Sequence, residues 1–102
     1  MTPTFAPDNF ERIMGCTNAY LMSWLPGALP SAGLAIDTVN SVAIATFSEG
    51  ALKLTWYPLP SARIAALEIP QLSVRLNYTG LSPEERYQVQ KPFDLETLRG
   101  GG

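Results

Sequence analysis

Gln71-Leu72-Ser73-Val74-Arg75-Leu76-Asn77-Tyr78-Thr79 is the stretch on which the fold turns. Leu72, Val74, Leu76 and Tyr78 alternate with Ser73, Arg75 and Asn77. A strict period of two puts the first set on one face of a β-strand and the second on the other. One face is therefore buried and the other meets solvent, as in an antiparallel sheet covered on one side. The same pattern continues upstream. Leu52, Leu54 and Trp56 alternate with Lys53, Thr55 and Tyr57 over Ala51 to Tyr57. Val42 to Phe47 and Leu34 to Thr38 read as earlier strands, and Arg63 to Ile69 as one between the proline clusters. Ser48-Glu49-Gly50 is a compact turn, with Gly50 free to take positive φ. Pro58-Leu59-Pro60 reads as a strand break, because proline cannot donate to a ladder. Connections this short favour antiparallel neighbours.

Helical signals flank the sheet. Asp8 followed by Glu11 has the spacing of a capping box. Phe10, Ile13, Met14, Thr17, Tyr20, Leu21, Trp24 and Leu25 then fall in one arc of a helical wheel, of roughly 140°. This predicts a helix over 9–25, ended by Pro26-Gly27. Residues 26–33 read as a loop. After Gly80, Ser82-Pro83-Glu84-Glu85 is a second helix opening, with Ser82 as N-cap and Pro83 in the first turn. That helix is expected to stop near Gln90, before Pro92. The expected fold class is α+β: an N-terminal helix packed on a four- to five-stranded antiparallel meander, followed by a short C-terminal helix.

The 102 residues fit one domain, 1–102, with an irregular lead-in at 1–7 and a flexible glycine tail at 99–102. The chain is 46% hydrophobic and only 16% charged, against roughly 25% charged in a typical soluble domain. A small domain has much surface to cover, so apolar surface is expected to remain bare and to mark a partner contact. The net charge of −2 argues against a nucleic-acid binder, which needs Lys and Arg against phosphates. A lone Cys16 rules out an intramolecular disulfide and points to a reducing, cytoplasmic setting, or to a virion if the chain is phage-encoded. The uncharged stretch Ile13 to Ile36 is interrupted by Pro26, Gly27, Pro30 and Gly33, which predicts no membrane span.

Chemistry-bearing patterns are few. The sequence has no histidine, so His-based catalytic sites within the chain are excluded, and no Cys/His cluster is present for zinc. No glycine-rich phosphate loop joins a strand to a helix. Glu84 and Glu85 belong to the helix opening. Cys16 has no adjacent Lys or His to activate its thiol, and Arg12, one turn before, is the only nearby cation. No enzyme activity, cofactor or metal is expected. The more informative feature is the second side of the 9–25 wheel. After its first turn it carries Gly15, Asn18, Ala19, Met22 and Ser23 and no charge. Gly15 inside a helix costs about 1 kcal/mol relative to Ala, which suits a close backbone approach by something else. These five residues are the expected interface with a protein partner or a second copy. The expected role is a non-enzymatic structural or assembly subunit, of the kind found in bacterial complexes and bacteriophage virions.

Two local resemblances imply other roles. Val74 to Glu85 resembles the last strand and following helix of PilZ domains, which implies cyclic di-GMP binding, although the family's Arg-x-x-x-Arg and Asp-x-Ser-x-x-Gly motifs are absent. Leu98-Arg99-Gly100-Gly101-Gly102 resembles the tail of ubiquitin-like proteins, which implies C-terminal conjugation or sulfur transfer. Here a third glycine follows the pair.

Overall fold

The computed structural model describes residues 7–30 and 33–99. The expected lead-in, apart from Pro7, and the glycines of the expected tail lie outside the described residues. The elements run β1 (Asn9–Met14), α1 (Asn18–Ala28), β2 (Gly33–Asp37), β3 (Val42–Thr46), β4 (Ala51–Ile64), β5 (Leu67–Thr79) and α2 (Pro83–Arg99). The five strands form one antiparallel sheet in the order β1-β5-β4-β3-β2. The chain is thus α+β, with a four-strand meander, β1 added along β5, and both helices on one face.

The alternation of β4 and β5 sets the core. Leu54 stands opposite Leu76 and Trp56 opposite Val74. These four, with Leu52, Leu72, Tyr78, Ala43 and Ala45, form the buried inner face. Leu21, Leu25 and Ala28 of α1 and Phe93 of α2 close over it. Each fully buried Leu, Val or Phe side chain among these contributes about 1.5–3 kcal/mol.

The segment expected to be helix 9–25 is divided. Its first third is strand β1. Phe10, Arg12 and Met14 also fit a period of two, and they stand opposite Leu76, Val74 and Leu72 on the inner face. Asp8 caps no helix: its carbonyl accepts a bond from the Tyr78 N–H at 2.7 Å, extending the ladder. A strand of β5's length offers an unpaired edge, and pairing with it overrides local helical spacing. The helix N-cap is Thr17, whose Oγ1 accepts from the Tyr20 N–H at 3.3 Å. Nor does Pro26 end α1, which continues to Ala28. So near the C-terminus, Pro26 removes only the bond to the Met22 carbonyl.

Three further boundaries differ from expectation. Pro58-Leu59-Pro60 does not break β4, which runs through to Ile64 with a bulge between Leu59 and Ala62. Beyond Thr55 no β3 residue pairs with β4, and beyond Leu72 no β1 residue pairs with β5. The prolines therefore sit on free edges, where a missing N–H costs no ladder bond. The expected strand Arg63 to Ile69 is the tip of this hairpin, turning at Ala65-Ala66. Helix α2 opens as expected: the Glu85 N–H donates to Ser82 Oγ at 3.2 Å and the Ser82 N–H to Glu85 Oε1 at 2.8 Å. It then passes Pro92 and is 17 residues long, so it is not short. Phe93, fully buried just after Pro92, anchors the continuation. Finally, Gly50 is required for close approach, not for positive φ: a Cβ there would lie 2.1 Å from the Thr79 carbonyl oxygen. Its neighbour Gly80 takes the positive φ, +78°.

Candidate functional site

The two halves of the β4–β5 hairpin have different surroundings. Residues 51–57 and 72–79 lie in the sheet body under the helices. Residues 58–70 form a two-stranded arm. Register places Ala62 opposite Ile69 and Ile64 opposite Leu67, with Arg63 opposite Glu68 between them. Cross-strand partners share a face and neighbours alternate. One face of the arm is therefore Ala62, Ile64, Leu67 and Ile69, and the reverse carries the two charges. Ile64 is 60% and Leu67 67% exposed.

This apolar face continues onto the helix-free side of the sheet. Along β5, Leu67 and Ile69 follow Gln71, Ser73 and Arg75. Ile13 and Tyr57 flank Ser73 in register, and both are about half exposed. Ser73 is buried between them, and its hydroxyl has no hydrogen-bond partner. Further from the arm the same side turns polar, with Arg75 Nη2 3.8 Å from Glu11 Oε2, and Lys53 and Asn77 exposed. The helix-free side is thus apolar toward the arm and carries its charges further into the body, where the exposed Ile44 also stands, opposite Lys53.

The residues expected to form an interface divide into two groups. Gly15 is not helical. It lies between β1 and α1 against the arm base, where a Cβ would sit 3.5 Å from Ile69 Cγ2. The helix-interior argument for Gly15 does not apply. Asn18 opens α1, and its Oδ1 accepts from Trp56 Nε1–H at 2.7 Å, tying the helix start to the core. Ala19 and Ser23 are exposed, and Met22 is partly buried against the core. Ser23 Oγ donates to the Tyr20 carbonyl at 2.7 Å. Tyr20 is 61% exposed and stacks on Trp24, with ring centroids 6.0 Å apart. The outward side of α1 carries no charge, as expected. Asn18 and Cys16 also line a cleft of about 280 Å³ at the arm base, with Trp56, Leu59 and Pro70. Burial pushes the Cys16 thiol above its ordinary pKa, which suppresses the reactive thiolate.

Sequence reasoning missed Ile64, Leu67 and Ile69 as surface features. Their signal was the alternation across Arg63 and Glu68 bounded by Pro58, Pro60 and Pro70, which marks an edge-protected ribbon. Lys53, Thr55, Tyr57, Arg75 and Asn77 share the helix-free side, and Arg63 lies on the reverse of the arm.

A polar chain on the helix side joins three elements. Tyr78 Oη donates to Gln90 Oε1 at 2.6 Å, Gln90 Nε2 donates to Asp94 Oδ1 at 2.8 Å, and Arg12 Nη1 pairs with the same oxygen. Burial, reinforced by Asp94, lifts the Tyr78 phenol well above its usual range, while Arg12 and Arg86 oppose this. The chain fastens β1 and β5 to α2. Among the described residues, no group of three or more His, Cys, Asp or Glu is placed to hold a metal, and no helix is long and apolar enough to cross a membrane. Val74 to Glu85 forms the end of β5, a turn and the start of α2. No protein family, curated protein or solved structure matches the chain.

Proposed function

We propose that this chain is a non-enzymatic assembly subunit that works through protein–protein contacts, with the β4–β5 arm as its docking element. The observation that carries this reading is the apolar face of the arm, half-buried at Ala62 and Ile69 and bare at its end, where Ile64 and Leu67 stand side by side. Water-exposed aliphatic pairs on a projecting ribbon contribute nothing to the body's core. They gain their burial energy only when another surface covers them. The prolines support face docking over strand addition, since Pro58 and Pro60 on one edge and Pro70 on the other blunt pairing with a further strand. The uncharged outward side of α1, with Ala19, Tyr20 and Ser23, supplies a second neutral surface.

The test is a double variant, Ile64→Asp with Leu67→Asp, expressed in the native source. Wild-type chain is expected in a complex larger than the 11.1 kDa monomer, and the variant as free monomer with unchanged circular dichroism. Equal complex sizes for the two would contradict the reading.

A further inference from the structure

We infer that the tip of the arm seats in an apolar pocket at the opposite end of a second copy of this chain. This rests on the reading of the arm as docking element and adds the identity of what covers it. The pocket, of about 240 Å³, lies between the end of α1 (Ala28, Leu29), Phe47 in the β3–β4 turn, and Val89 and Pro92 of α2, with Gln88 beside them. Among the described residues, no charged side chain lines it. It falls below the roughly 300–1,000 Å³ of small-molecule sites. A dry cavity of about 150 Å³ holds a benzene ring, so this one suits one or two aliphatic side chains. Ile64 and Leu67, paired in register, present such a group, with Arg63 and Glu68 turned to the reverse face and away from the pocket.

The two halves of this contact cannot meet within one molecule. β4 alone runs from beside the pocket, at Ala51, to the tip at Ile64. Its 14 residues span about 43 Å at a strand's rise, close to the longest dimension of the chain, 45 Å. Only another copy can bring a tip to this pocket. A knob on one end and a socket on the other make a head-to-tail contact, which closes into a ring or extends into a filament.

The experiment mixes two single variants of the full chain, Leu67→Cys and Gln88→Cys, carrying tags of different mass, under mild oxidation; Cys16 is buried in both. The Leu67→Cys chain is expected to join the Gln88→Cys chain at least tenfold more than either joins itself. Light scattering of the wild type is expected to show species beyond dimer as concentration rises. Disulfides in random proportion, tip-to-tip joining, or a monomer at every concentration would overturn the inference. The two readings separate in the Leu67→Asp variant. If that variant loses assembly while cross-links form elsewhere, the arm remains the docking element and the pocket is excluded as its seat. If it assembles as the wild type does, both fail.

Discussion

The body and the arm of the β4–β5 hairpin are built from the same two strands, with the same alternation, and differ in what lies over them. In the body, Leu54 and Leu76 face each other beneath two helices and are fully buried. In the arm, Ile64 and Leu67 face each other and more than half of each is exposed. Apolar alternation alone therefore does not tell core from contact surface; the covering layer decides. Edge chemistry separates the two as well. The body strands are paired on both sides over residues 51–55 and 72–77 and contain no proline, whereas the arm carries Pro58, Pro60 and Pro70 where its edges are free.

The largest expected difference is in stability. Leu76→Ala in the body should lower unfolding free energy by about 2–5 kcal/mol. Leu67→Ala in the arm should change it by less than about 0.5 kcal/mol. Denaturant melts of the two variants would show this, and comparable losses would mean that the arm is packed in the isolated chain.

Next in size come the polar ties of the body. Asn18→Ala leaves Trp56 Nε1–H without its acceptor, and should cost about 1–3 kcal/mol with a change in tryptophan fluorescence. Tyr78→Phe removes the donor to Gln90 and should cost a similar amount at neutral pH. That variant also has a pH signature. The folded Tyr78 phenol is held above its unfolded value of about 10, so its contribution is complete below pH 10. Above that, the unfolded chain releases a proton that the folded chain keeps. Stability then falls by up to about 1.4 kcal/mol per pH unit. Tyr78→Phe should flatten this alkaline limb. The raised Cys16 thiol acts in the same direction from nearer pH 9, and it is common to both proteins, so the difference between their profiles isolates Tyr78.

The smallest effect concerns the arm's turn. Ala65 has φ +55°, a conformation that disfavours a Cβ by about 1–2 kcal/mol. Glycine would relieve this but is itself costlier to order, by roughly 0.5–1 kcal/mol. Ala65→Gly should therefore shift global stability by no more than about 1 kcal/mol, with any change in hydrogen exchange confined to the arm.

These contrasts also show what the sequence could convey. Leu72 to Tyr78 alternate so strictly that one reading satisfies them, and the inward and outward sets are those observed. Ser82 and Glu85 form their capping box locally, so nothing distant could alter it. Residues 9–14 are different. Phe10, Ile13 and Met14 fit a helical arc, while Phe10, Arg12 and Met14 fit a strand, and the choice was made by the free edge of β5, more than fifty residues away. Pro58, Pro60 and Pro92 misled for a related reason. A proline's cost depends on whether a partner needs its N–H, and that is a tertiary fact. The outward side of α1 was legible as uncharged, but Gly15 was assigned to it only through the mistaken helix. The arm is hidden in the sequence because apolar alternation at Ile64, Leu67 and Ile69 looks the same whether the face is a core or a contact surface.

The central claim is that the end of the apolar face of residues 58–70 is bare in the single chain and covered when the protein is at work. Hydrogen exchange measured by mass spectrometry, on dilute chain and on the assembly isolated from its native source, addresses it directly. Amides of the arm should exchange at least tenfold more slowly in the assembly, while those of residues 72–79 change little. Identical exchange of the arm in the two samples would contradict the account.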